Sequence, residues 1–160
     1  MEHKLLSIYL NDHLAGSTLG RDLARRTAGS NRDNDYGPPL ARLAEEIDAD
    51  RDSLLALMDT LEVGTDRVKV LGAWVAEKAG RLKLNGRLLS YSPLSRLVEL
   101  EALLLGVTGK LALWRSLQLG EAKDLQLPKS ELKRLVERAE RQARELESLR
   151  LRAMAEVLEQ

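Results

Sequence analysis

The stretch Ser92–Leu119, SPLSRLVELEALLLGVTGKLALWRSLQL, limits what the rest of the chain can do. Ser92 is a favourable N-cap, and Pro93 stands at the first helical position, where its missing N–H costs nothing. Leu97, Leu100, Leu104, Val107, Leu111 and Trp114 recur at steps of three and four, the spacing of one buried helical face. Leu103, Leu105 and Leu113 widen that face until little polar surface is left, which predicts a helix surrounded by other helices. Glu101 sits inside it, with apolar one-turn neighbours Leu97, Val98, Leu104 and Leu105. A carboxylate in such surroundings has to be paired, bound to a metal or protonated, because burying a bare charge is too costly.

The other segments have to supply its partners. Residues 3–28 read as a first helix, with Leu5, Tyr9, Asp12, Gly16, Leu19 and Leu23 on one line. Ala15, Gly16 and Ser17 are small enough to admit a neighbouring helix, and Gly29 is a plausible stop. A polar loop, SNRDNDYGPP, precedes a second helix over 39–62 with an apolar stripe of Leu40, Leu43, Ile47, Leu54, Leu57 and Leu61. That stripe is interrupted near Asp50 and Arg51. A shorter helix is predicted over 66–84, then the organising helix over 93–119 and a last one over 129–158. The last helix has the apolar line Leu132, Leu135, Ala139, Ala143, Leu146, Leu149, Ala153 and Val157. Arg134, Arg138, Arg141 and Arg144 are interleaved with acids and read as a solvated face.

The bulk properties remove several function classes. Net formal charge is zero and aromatics make up only 3% of residues, which argues against nucleic acid as a partner. The chain has no cysteine, so disulfides, thiol catalysis and cysteine-based metal sites are excluded. No apolar run reaches the roughly 20 residues of a membrane span, and the N-terminus is too polar for a signal peptide. The expectation is a cytoplasmic protein with no membrane partner, folded as a single domain over residues 1–160.

Four long helices with a short one between the second and the last pair resemble the ferritin-like superfamily, an all-α bundle with a crossover helix. The resemblance implies a Glu on the first and third long helices and a Glu-x-x-His on the second and fourth, facing inward around two metals. Asp12 and Glu101 match the first and third positions. The second helix offers Asp48-Ala49-Asp50-Arg51 or Glu45-Glu46-Ile47-Asp48, and the last offers Glu137-Arg138-Ala139-Glu140. None of these contains His; the only two histidines are His3 and His13.

The candidate site is therefore a buried polar cluster of Asp12, His13, Arg51 and Glu101. One reading is an ion-pair network in which the Arg51 guanidinium bridges two carboxylates in place of a metal. The other is an atypical iron or manganese site using Asp12, Glu101, Asp48, Glu45 and Glu140, with oxidase or iron-handling chemistry. His13 is either a ligand or a partly buried imidazole with a local hydrogen bond. Lys110, among Gly106, Val107, Leu113 and Trp114, either snorkels or pairs with an inward acid. Gly106 and Gly109 read as a site of close helix packing. The leading expectation for function is non-enzymatic: a bundle without a di-metal centre or other cofactor, acting through helical association with itself, as a homodimer, or with a protein partner. A small-molecule pocket between helices is the further possibility, which an apolar cavity near Trp74 and Trp114 would support.

Overall fold

The computed structural model describes residues 3–65, 91–120 and 127–159, and among them there are four long helices and no strand. They are α1 (His3–Ser30), α2 (Gly37–Thr60), α3 (Pro93–Leu119) and α4 (Lys129–Leu158). The helix expected over 66–84, and Trp74 within it, lie outside the described residues. Ser92 caps α3 as expected, its hydroxyl accepting the Ser95 N–H at 3.2 Å. The prolines of α2 sit in its first turn. Gly29 does not stop α1, which runs on to Ser30.

Cross-helix pairs define the packing. α1 and α2 are antiparallel, held by Arg25–Asp48 at 2.5 Å and Arg51–Thr18 at 3.2 Å. α3 and α4 are antiparallel too, with Arg96–Glu156 at 2.6 Å near one end and Arg115–Glu140 at 2.8 Å towards the other. α2 faces α4 through Arg42–Glu145 and through Glu46–Arg141 at 3.1 Å. α1 faces α3 through Arg26–Glu99 at 3.1 Å and Asn31–Arg96 at 2.7 Å. α2 and α3 consequently run in the same direction. The end of α2 lies beside α1's start, where Asn11 donates to the Gly64 carbonyl at 3.0 Å. The start of α3 lies at α1's far end, where Asn31 donates to the Tyr91 hydroxyl at 2.6 Å.

The core divides into two apolar halves. One joins Leu10, Leu14, Leu54, Met58, Trp114 and Leu132; the other joins Ala24, Leu40, Leu43, Leu97, Leu100 and Leu146. Each fully buried leucine contributes about 1.5–3 kcal/mol relative to exposure. The division falls where the seam of each helix turns polar or small: Gly16–Gly20 on α1, Asp50 on α2, Lys110 on α3 and Gln142 on α4. This middle layer is where the chemistry of the molecule collects.

At one end Tyr36 is buried with its ring between the guanidinium groups of Arg96 and Arg152, 4.3 and 4.5 Å from the ring centre. Its hydroxyl donates to Glu156 at 2.7 Å, tying the α1–α2 loop to α4. The same loop closes over Gly37, where a Cβ would lie 2.7 Å from the Asn31 carbonyl oxygen. The absent side chain is what lets the loop pack there.

Among the described residues, α3 is not surrounded by helices. Leu97, Leu100, Leu103, Val107, Leu113, Trp114 and Leu117 are buried, whereas Val98 and Leu105 are 52% and 74% exposed. A helix in a four-helix bundle meets two neighbours, so its outer face stays in solvent whatever its composition.

Candidate functional site: a polar layer and the cavity beside it

Asp50 is the buried acid among the described residues. It is 1% exposed and lies on α2 one turn from both Ile47 and Leu54. Lys110 reaches it from α3, across the bundle, and donates to its Oδ2. Arg138 of α4 donates through Nε to Oδ1 at 2.6 Å. Gln142, one turn further along α4, donates to Oδ2 at 3.1 Å and also to Glu46 at 3.0 Å, while its carbonyl oxygen accepts from Lys110 at 2.6 Å. Three helices are thus joined at one carboxylate, whose oxygens are filled by charge-assisted donors. Burial pulls the Lys110 ammonium below the ordinary lysine value, and the charge of Asp50 opposes that pull. Burial pushes the Glu46 carboxyl up, but the hydrogen bonds from Gln142 and Arg141 outweigh it and hold the group below the usual range.

The four residues expected to form the buried cluster do not do so. Glu101 is exposed; its side chain, 50% accessible, pairs with Arg150 at 3.7 Å on the α3–α4 surface. The reason is angular: Glu101 follows the buried Leu100 by one residue, so it is turned about 100° away from the core line. Asp12 is exposed as well. Arg51 bridges neither acid; its Nε donates to the Thr18 hydroxyl, and the nearest paired carboxylate is Asp52 at 4.0 Å. His13 is half-buried and packs edge-on against Tyr9, ring centres 4.6 Å apart. Burial holds its imidazole below the ordinary histidine value against the charge of Asp12.

The acids of the alternative metal set are also separated. Asp48 pairs with Arg25, Glu140 with Arg115 and Glu101 with Arg150, while Glu45 is exposed. Among the described residues no group of three or more His, Asp or Glu side chains is disposed to hold a metal ion.

Lys110 does pair with an inward acid, the sharper of the two readings open to it. Arg138 does not belong to a solvated face, since its guanidinium is committed to Asp50. On α4 the buried position is Gln142, whereas Ala143, expected on the apolar line, is only partly buried. A strict alternation of three and four along Leu132, Leu135, Ala139, Gln142 and Leu146 would have found it. The same alternation along Leu43, Ile47, Asp50, Leu54 and along Leu103, Val107, Lys110, Trp114 finds Asp50 and Lys110.

Beside this layer, between α1, α2 and α3, lies a cavity of about 350 Å3. Its apolar wall includes Ile47, Leu54, Leu103, Val107 and Leu113, and Asp50 and Lys110 form part of its lining. His13, Arg51 and Trp114 line it too. Asp12 lines it as well, so three of the four expected cluster residues, Asp12, His13 and Arg51, share this lining, together with Gly16 and Gly20 of α1 and Gly106 and Gly109 of α3. A Cβ added at any of these four glycines would meet nothing within 4 Å. Gly16, Gly106 and Gly109 therefore do not mark the close helix contact that the sequence led us to expect. Trp114 is 1% exposed, and its indole N–H is buried with no acceptor among the described residues.

Comparison of the chain with protein-family models, with curated proteins and with solved structures gives no match.

Proposed function

We propose that this protein binds a small molecule within a ferritin-like helical bundle, and that its activity is binding and not catalysis. The observation that carries the reading is the cleft of about 350 Å3 between α1, α2 and α3, with Gly16, Gly20, Gly106 and Gly109 in its lining. That volume falls at the small end of the range of ligand pockets. Glycine inside a helix is unfavourable by roughly 0.5–1 kcal/mol against alanine, and no neighbouring atom requires it here. The adjoining polar layer gives the apolar chamber an end with defined donors, the usual make-up of a small-molecule site. The ferritin-like part of the reading is supported by two antiparallel helix pairs whose middle members run in the same direction. Of the five carboxylates proposed for an iron or manganese site, Asp48, Glu140 and Glu101 are engaged separately with arginines. No helix among the described residues is long and apolar enough to cross a membrane.

The test is titration of the full chain with N-phenyl-1-naphthylamine, an uncharged dye that brightens in apolar surroundings. Saturable brightening at one site per chain is expected, and its loss in Gly16→Leu/Gly106→Leu, which puts side chains into the chamber. A parent protein that leaves the dye dark, or a plugged variant that binds it equally well, refutes the reading.

A second reading, self-association, is favoured by one feature of α3. Val98, Leu105 and Leu119 are 52%, 74% and 73% exposed and share a heptad spacing suited to pairing with a second copy. Sedimentation of the parent at micromolar concentration is expected to give a dimer, and Leu105→Glu a monomer. A monomeric parent removes this reading.

A further inference from the structure

The polar groups lining the cavity are unbalanced. Asp50 is saturated by Lys110, Arg138 and Gln142, so it has little capacity left for a ligand donor. Asp12 is exposed and Ser17 gives its hydroxyl proton to the Leu14 carbonyl at 2.6 Å. The donors are less occupied. Arg51 spends its Nε–H on Thr18, and its nearest ion-pair partner among the described residues is Asp52, 4.0 Å away and 75% accessible. A cation so weakly neutralised favours a ligand that brings acceptors and negative charge. The apolar wall of Ile47, Leu54, Leu103, Val107 and Leu113 favours a hydrocarbon or ring body. The volume of about 350 Å3 is too small for a two-chain lipid.

We infer that the ligand is a small carboxylic acid with an apolar body, its carboxylate received by Arg51. This inference rests on the cavity-binding reading above. Arg51 is the specificity-determining residue. Its planar fork matches a carboxylate, and its charge discriminates an acid from the alcohol or amine of the same length.

The experiment compares octanoate, octan-1-ol and octylamine by calorimetric titration of the full chain. Octanoate is expected to bind about tenfold or more tightly than octan-1-ol, the effect of a hydrogen bond to a charged group. Arg51→Gln is expected to abolish that preference. In a nitrogen–proton spectrum, the indole resonance absent from Trp114→Phe is expected to move on adding octanoate. Equal binding of octanoate and octan-1-ol, tightest binding of octylamine, or an unchanged preference in Arg51→Gln overturns the carboxylate inference and leaves the cavity reading standing. Failure of all three ligands with the naphthylamine dye still bound also overturns it alone. Failure of the dye as well overturns both.

Discussion

Asp50→Leu is expected to lower the unfolding free energy by about 3–5 kcal/mol, the cost of breaking a buried ion pair by removing one partner. The substitution leaves Lys110 and Arg138 facing each other with side chains only 14% and 16% accessible and no carboxylate between them. For a chain of this size that corresponds to a melting temperature lower by about 6–20 °C. Asp50→Asn keeps an acceptor at the same place and should fall between the two proteins. Asp50→Leu/Lys110→Met/Arg138→Met removes all three charges together and should recover most of the loss, because a complete buried network is often replaceable by apolar side chains. Recovery will be incomplete, since the Gln142 carbonyl oxygen loses the Lys110 donor. Glu101→Leu, at an exposed site, should stay within about 0.5 kcal/mol of the parent. Thermal and urea melts of the five proteins check the series. A single Asp50→Leu variant that melts within a degree of the parent would show that the polar layer does not hold the helices in register.

The second large effect has the opposite sign. Gly16→Ala, Gly20→Ala, Gly106→Ala and Gly109→Ala are each expected to stabilise the protein by about 0.5–1 kcal/mol, through lower chain entropy in the unfolded state. Combined, they should raise stability by roughly 2–4 kcal/mol, or about 4–16 °C in melting temperature. The prediction depends on the empty space at each position, because a methyl group there meets no atom within 4 Å. Gly37→Ala is the contrasting control: its Cβ would fall 2.7 Å from the Asn31 carbonyl oxygen and 2.8 Å from that of Arg32, so destabilisation is expected. The fourfold variant should bind the naphthylamine dye more weakly than the parent even as it melts higher. Such a trade of stability for an open chamber is a familiar cost of function. A fourfold variant that is less stable than the parent would mean that these glycines serve helix approach after all, and the cavity reading would lose its support.

Much of the architecture could be read along the chain. The N-cap at Ser92, the prolines that open α2 and the leucine stripes are local features, set by residues within a turn or two of each other. They locate four long helices within about two residues, and nothing distant is needed to interpret them. The site was less legible. Glu101 looked buried because its one-turn neighbours are apolar, yet composition around a residue does not state its angle to the helix seam. Asp50, Lys110 and Gln142 each look like an interruption of a stripe, and only the strict alternation of three and four marks them as inward-facing.

That these three meet could not be deduced from spacing. Lys110 lies 60 residues from Asp50 and Gln142 lies 92 from it, and their partnership follows from the level at which α2, α3 and α4 pass one another. The cavity is decided in the same way. Four glycines on two helices can equally well allow close contact or leave a void; only the packed helices show that a Cβ at each would meet nothing within 4 Å. Periodicity is a property of one helix and survives without neighbours, so the chain encodes it openly. Burial, pairing and empty volume are properties of several helices at once, and come into being only when their seams close on each other.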